Sequence, residues 1–204
     1  MAERSPRTTG SGVAARPGID RGGWPGSRAD HRTTGARGIQ LAAVAGVVTT
    51  WRLTRPEHSR TVEEVLSGEG ALQYGGRWNS PGRRAVYLGG NLALASLELL
   101  VHVWTPDVLA RYRKLPVGIP EDLINVIRVC DLPVDWAVPS LHPATRKICD
   151  RWIDSLASAV LQVPSAVVVG EVNYIANPVH PDFARLQPGT ITDYRFDSRV
   201  LRSR

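Results

Sequence analysis

The spacing of hydrophobic and polar positions changes several times along the chain. Val47 to Leu53 is rich in β-branched and aromatic residues and predicts a first strand. Thr61 to Leu66 predicts a short helix. Ser67 to Gly82 (SGEGALQYGGRWNSPG) is dense in glycine and turn residues and predicts a loop of special geometry. Arg84 to Leu88 reads as a second strand. Asn91 is an N-cap residue for a helix running to about Val103. Strands are expected at Arg113 to Ile119 and Asn125 to Val129. Pro143 opens a helix to about Leu161, with Ile148, Trp152, Leu156 and Val160 on one face. Ser165 to Val169 reads as a strand, Tyr174 to Pro188 as mostly loop, and Arg195 to Val200 as a last short strand. Trp104, Trp136 and Trp152 are expected in the core. Helices and strands mix without a regular βαβ period or an internal repeat, so the expected class is α+β, a single mixed domain.

The first residues are different. Residues 1–38 have no hydrophobic period and hold eight of the 19 glycines. Such a segment cannot bury enough apolar surface to offset its ordering entropy. Residues 1–41 are therefore expected to be a disordered basic leader, and 42–204 the folded domain. Charge follows the same division. The formal net charge of +6 comes from the ends: residues 1–47 carry +4 and 195–204 carry +3, which leaves −1 between them. A basic surface on the folded part is thus not expected, and neither is a direct nucleic-acid partner. No apolar run reaches the roughly 18–20 residues that span a bilayer. The expected location is the cytoplasm, with no membrane partner. The cysteines, Cys130 and Cys149, show no metal spacing and read as reduced, buried thiols. The five histidines are scattered, so no metal site is expected.

Glu98 lies in the run Asn-Leu-Ala-Leu-Ala-Ser-Leu-Glu-Leu-Leu-Val-His, with Leu94, Ala95, Val101 and His102 at helical spacing. A carboxylate on that stripe faces the interior, where an unpaired charge costs several kcal/mol or shifts its pKa. It is either a salt-bridge partner of an arginine or a functional group. Arg52 sits within the first strand, between Trp51 and Leu53, and is likewise a charge in want of an anion. Gly75-Gly76-Arg77-Trp78-Asn79 places a guanidinium after two permissive residues. The planar fork of arginine suits a pyrophosphate or a carboxylate. Ser165 follows Pro164 without the surroundings of an activated nucleophile. His102 reads as a packed helix-face histidine. Asn173, Asn177 and His180 are expected to shape a loop near the site.

These residues together resemble the RES domain, named for an Arg, a Glu and a Ser. Trp51-Arg52-Leu53 is similar to its opening aromatic–Arg–aliphatic step, with Trp where Tyr is frequent. Ser67-Gly68-Glu69-Gly70-Ala71 followed by Gly75-Gly76-Arg77-Trp78-Asn79 resembles its most recognisable stretch. Val86-Tyr87-Leu88 and Leu94 to His102 resemble its strand and Glu-bearing helix. Val163-Pro164-Ser165, Asn173-Tyr174, Asn177-Pro178, His180-Pro181-Asp182-Phe183 and Phe196-Asp197-Ser198-Arg199 resemble its C-terminal signature. The residues ahead of Trp51 have no counterpart.

The resemblance implies a toxin of a toxin–antitoxin pair, with a fold similar to ADP-ribosylating toxins. It implies an enzyme that depletes NAD as substrate with no tightly bound cofactor, held in check by a cognate Xre-type helix-turn-helix antitoxin. It implies Arg52, Glu98 and Ser165 as catalytic residues and Arg77 and Tyr87 as substrate-binding residues. Tyr74, Asn79, His102 and Asn173 are expected to support these residues from behind. The alternatives are an ADP-ribosyltransferase that modifies a protein target, and a non-catalytic binding protein.

Overall fold

The computed structural model describes residues 46–102, 111–138, 143–197 and 199–200. All lie in the compact unit Gln40–Arg204. The expected leader over 1–41 and Trp104 lie outside the described residues, and the helix expected to run to about Val103 ends at Leu100.

The frame is a sheet of eight strands: β1 (Val47–Thr54), β2 (Val86–Gly89), β3 (Tyr112–Pro120), β4 (Ile124–Val126), β5 (Val160–Pro164), β6 (Val172–Ala176), β7 (Gln187–Pro188) and β8 (Thr192–Tyr194). The order is β4-β5-β6-β2-β1-β3-β7, and β8 also pairs with β3. Among the described residues β4 and β5 run parallel and the other pairs are antiparallel. β1 pairs with β3 along its whole length, Val47↔Pro120 to Thr54↔Arg113. Its pairing with β2 consists of the single register pair Trp51↔Gly89. Among the described residues four α-helices complete the domain: α1 (Val62–Val65), α2 (Glu69–Tyr74), α3 (Leu92–Leu100) and α4 (Pro143–Ser155). This is the α+β single domain that the pattern predicts.

Alternation along the strands covers both faces of the sheet, as the two-residue side-chain period requires. Val86 and Leu88, Tyr174 and Ala176, and Leu115, Val117 and Ile119 form one buried cluster. Leu161, Val163 and Ile175 pack in a second cluster with Cys149, Trp152 and Ile153 of α4 and with Trp78 and Trp136. The positions i, i+3 and i+4 of α4 lie on one helix face, which explains that grouping.

Several expected elements are corrected. α2 lies inside the expected loop 67–82. It is only one and a half turns long and is flanked by Gly68 and Gly75, both at φ 67, so the glycines mark its two ends. The Gln73 side chain donates to Glu69 one turn back, at 3.0 Å. α4 stops at Ser155, six residues before the expected Leu161, because Leu156 takes φ 51. Val160, expected on the helix face, instead begins β5 and pairs with both Ile124 and Ala176. The strand expected at Ser165–Val169 is thus Val160–Pro164, and 165–171 is the turn of a hairpin closed by Ser165 N–H donating to Glu171 O (2.9 Å). Asn173 and Tyr174 lie in β6, not in a loop. The last strand is Thr192–Tyr194, not Arg195–Val200. β4 ends at Val126, and Val129 opens a 3-10 turn to Asp131 that leaves Cys130 exposed; only Cys149 is a buried thiol.

Candidate active site

A cavity of about 840 Å³ opens where α3, the loop after α2 and the centre of the sheet meet. Arg52, Arg77, Tyr87, Glu98, His102 and Asn173 are among its lining residues. Each arrives there for a local reason.

Glu98 is placed by α3. The Asn91 side chain caps that helix, accepting from Leu94 N–H at 2.8 Å. A Cβ added to Gly89 would lie 2.8 Å from both the Cβ and the amide nitrogen of Ala95, so the bare glycine lets α3 rest directly on β2. Ala95 and Glu98 are three apart and share a helix face. Glu98 therefore reaches over Gly89 towards β6, where Asn173 pairs with Gly89 in register. Asn173 Nδ2 donates to Glu98 Oε1 at 2.6 Å, and Ser165 Oγ donates to the same oxygen at 2.7 Å. Oε2 has no protein hydrogen bond among the described residues. Glu98 is half-buried, and its protein partners are neutral donors, not the arginine a structural salt bridge would need.

Ser165 stands behind the carboxylate. Its Oγ accepts the N–H groups of Val167 and Val168 at 3.1 and 3.0 Å while donating to Glu98. With two donors and one acceptor the hydroxyl is saturated, and Ser165 is not among the residues that line the cavity. The arrangement fits an orienting group rather than a nucleophile.

Arg52 sits where β1 and β2 part. Its Nη1 donates to Tyr87 O at 3.0 Å, a carbonyl that the short β1–β2 pairing leaves available. Its Nε is sealed from solvent and has no partner among the described residues. Burial lowers the pKa of this guanidinium, and the nearby Tyr87 acts in the opposite direction. Arg77 is committed differently: Nη1 and Nη2 donate to Trp136 O and Val138 O, each at 2.9 Å. Burial lowers its pKa too, against the raising influence of Glu98 and then Tyr87. Arg77 thus ties the segment around Trp136 to the cavity wall while keeping its charge near Glu98.

Tyr87 lines the cavity, but its hydroxyl is used by the loop. It donates to Asn79 Oδ1 at 2.7 Å and accepts from Trp78 N–H at 3.2 Å. Burial pushes the phenol well above its ordinary pKa. Asn79 is fully buried, and its Nδ2 donates to Ala71 O, Ser80 O and Arg83 O at 3.0–3.1 Å. It holds the loop and does not line the cavity. His102 lies in an exposed turn past the end of α3, so the packed histidine expected there is a rim residue instead. Tyr74, 78% exposed at the end of α2, is not brought to the cavity. Asn177 is buried and ties β6 to α4 through Ile153 O (3.2 Å), and His180 caps the 3-10 turn Pro181–Arg185.

The braces on the loop carry no motif. Thr145 Oγ1 donates to Arg77 O at 2.7 Å and Arg146 Nε to Gly76 O at 2.8 Å, so α4 fixes the backbone on either side of the Gly-Arg step. Trp78, 3% exposed, packs against Trp136 with ring centroids 6.0 Å apart. Burying a ring of that size is worth about 3 kcal/mol, enough to pin a glycine-rich loop. An aromatic inside a glycine-rich stretch was the available signal for this anchor.

The described residues thus form an α+β domain with a carboxylate and two arginines around one deep cavity. A chain of the M. tuberculosis MbcT–MbcA toxin–antitoxin complex shares this fold, with a TM-score of 0.59 and 21% identity over 73% of this chain and 85% of that one. The RES domain model matches residues 49–197, and the chain belongs to the RES domain family. It is 39% identical over 155 residues to Toxin Res of Photorhabdus laumondii, which covers 76% of this chain and 97% of the relative. It is 31% identical over 156 residues to the Prs ADP-ribosylating toxin of Sphingobium sp., covering 74% and 96%.

Proposed function

We propose that the chain is the toxin of a toxin–antitoxin pair and that it consumes NAD by breaking the nicotinamide–ribose bond. The observation that carries this reading is Glu98: a carboxylate on a cavity wall, oriented through Oε1 by Ser165 and Asn173, with no partner on Oε2 among the described residues. The C1′–N bond breaks, and the nicotinamide leaves as a neutral base with the bonding electrons. Positive charge develops on the ribose. A fixed carboxylate stabilises that charge without having to reorganise, an effect typically worth about 3–4 kcal/mol. Water or phosphate then adds at C1′ and gives up a proton.

Arg52 and Arg77, both on the cavity wall, supply two positive charges for the pyrophosphate. The Tyr87 ring offers an aromatic face for stacking. Among the described residues no helix is long and apolar enough to cross a membrane, and no group of three or more His, Cys, Asp or Glu could hold a metal ion. The partner expected for a toxin of this kind is a cognate antitoxin of the Xre type that closes the cavity.

Transfer of ADP-ribose to a protein is the second reading, favoured by the name of the Sphingobium relative. It uses the same site and differs in the acceptor. Incubation of the purified protein with NAD, with products separated by chromatography, tests both. Free nicotinamide with ADP-ribose or its 1″-phosphate supports the first reading. Label retained on protein supports the second. Intact NAD removes both.

A further inference from the structure

The two donors that hold Glu98 are not equivalent. Ser165 has spent its hydrogen-bonding capacity inside the 165–171 turn and on Glu98. Asn173 has not. Its Nδ2 is given to Glu98 Oε1, and its Oδ1 is buried with no hydrogen-bond partner among the described residues. The amide cannot be turned round, since that would set its oxygen against a carboxylate. Asn173 also lines the cavity, on the strand beside Gly89 and directly beyond the catalytic carboxylate. A buried carbonyl oxygen left unpaired is costly, and such groups in folded proteins ordinarily have a partner.

We infer that Asn173 is a substrate-contacting specificity residue. Its Oδ1 accepts a hydrogen bond from a neutral N–H or O–H donor on the nicotinamide-ribosyl half of the dinucleotide, next to the bond that Glu98 acts on. The inference rests on the NAD reading above. The same side chain then couples two tasks: Nδ2 sets the carboxylate and Oδ1 registers the substrate against it. Two groups in that half of NAD have the required chemistry, the carboxamide NH2 and a ribose hydroxyl. Both are donors of the same class.

The test is a binding cycle in the Glu98→Gln background, where the ligand is not consumed and Gln can still accept from Ser165 and Asn173. Calorimetry compares NAD with an analogue whose carboxamide NH2 is replaced by a methyl ketone, and with analogues lacking the 2′- or the 3′-hydroxyl of the nicotinamide ribose. Each is measured with Asn173 present and with Asn173→Ala. Asn173→Ala is expected to weaken NAD about ten-fold, as for one lost hydrogen bond. It is expected to leave unchanged the affinity of the one analogue that lacks the contacted donor. That analogue identifies the donor. The parent-side comparison needs no substitution at 173, so it stands even where Asn173→Ala lowers the melting temperature. Equal losses on Asn173→Ala for NAD and every analogue, or analogues that bind the Asn173 form as tightly as NAD does, overturn this inference and leave the NAD reading in place. A Glu98→Gln protein that folds but binds no NAD overturns both.

Discussion

At the scale of single residues the site depends on charges whose partners are unequal. Among the described residues, Glu98 has neutral hydrogen-bond donors on one oxygen and none on the other. Glu98→Gln keeps the carbonyl that Ser165 and Asn173 address and removes the charge. Its melting temperature is expected to stay close to the parent's while NAD turnover falls about a hundred- to a thousandfold, the equivalent of roughly 3–4 kcal/mol. A variant that unfolds, or one that turns over NAD at the parental rate, removes Glu98 from the mechanism. Arg52→Ala should act on binding. One charge-assisted contact is worth about 1.5–3 kcal/mol, so calorimetry should show NAD weakened by roughly ten- to a hundredfold. Unchanged affinity would make Arg52 a clamp on Tyr87 O and nothing more. Both residues were legible as anomalies: a charge inside a strand and a charge on an apolar stripe. Their partners were not, because Tyr87, Ser165 and Asn173 are 35, 67 and 75 positions away from them.

At the scale of elements, the separation of α3 from β2 and the shape of the loop after α2 set the geometry. Gly89→Ala places a Cβ 2.8 Å from the backbone of α3 at Ala95. Overpacking of this kind costs about 1–3 kcal/mol. The helix must lift, so turnover should fall along with denaturant stability; a fully active, fully stable Gly89→Ala would show that the α3–β2 contact does not position Glu98. Tyr87→Phe keeps the ring in the cavity and removes the hydroxyl. Asn79 Oδ1 and Trp78 N–H then lose their partner in a buried setting, which costs about 1–3 kcal/mol. Urea unfolding should show that loss, whereas a stability equal to the parent's would mean that the loop holds without it. Element existence was readable from period and caps: β1, β2, α3 and β3 lie where the pattern places them. The boundary between α4 and β5 was not. Val160 fits a helix face by spacing, and the ladder offered by Ile124 and Ala176 decided for the strand.

At the scale of the whole molecule, the expected leader and the family's biology lead to two further outcomes. Removing residues 1–41 should leave melting temperature and NAD consumption unchanged, since the family match begins at residue 49 and β1 at Val47. A clear drop in either would give the leader a structural role. Expression of the full chain without a partner should stop growth and lower cellular NAD, and co-expression of the cognate antitoxin should restore both; normal growth with confirmed soluble protein would count against the toxin reading. The sequence by itself determined the class of the fold, the order of the motifs and the identity of the odd charges, because local period, caps and residue chemistry are properties of neighbours along the chain. Only the tertiary structure decided that Ser165 is a saturated brace, that the Tyr87 hydroxyl belongs to the loop, and that Asn173 stands beside Glu98 with a buried acceptor unpaired among the described residues. Those facts depend on which strands pair and in what register, and pairing is a contest among distant segments that no local pattern records.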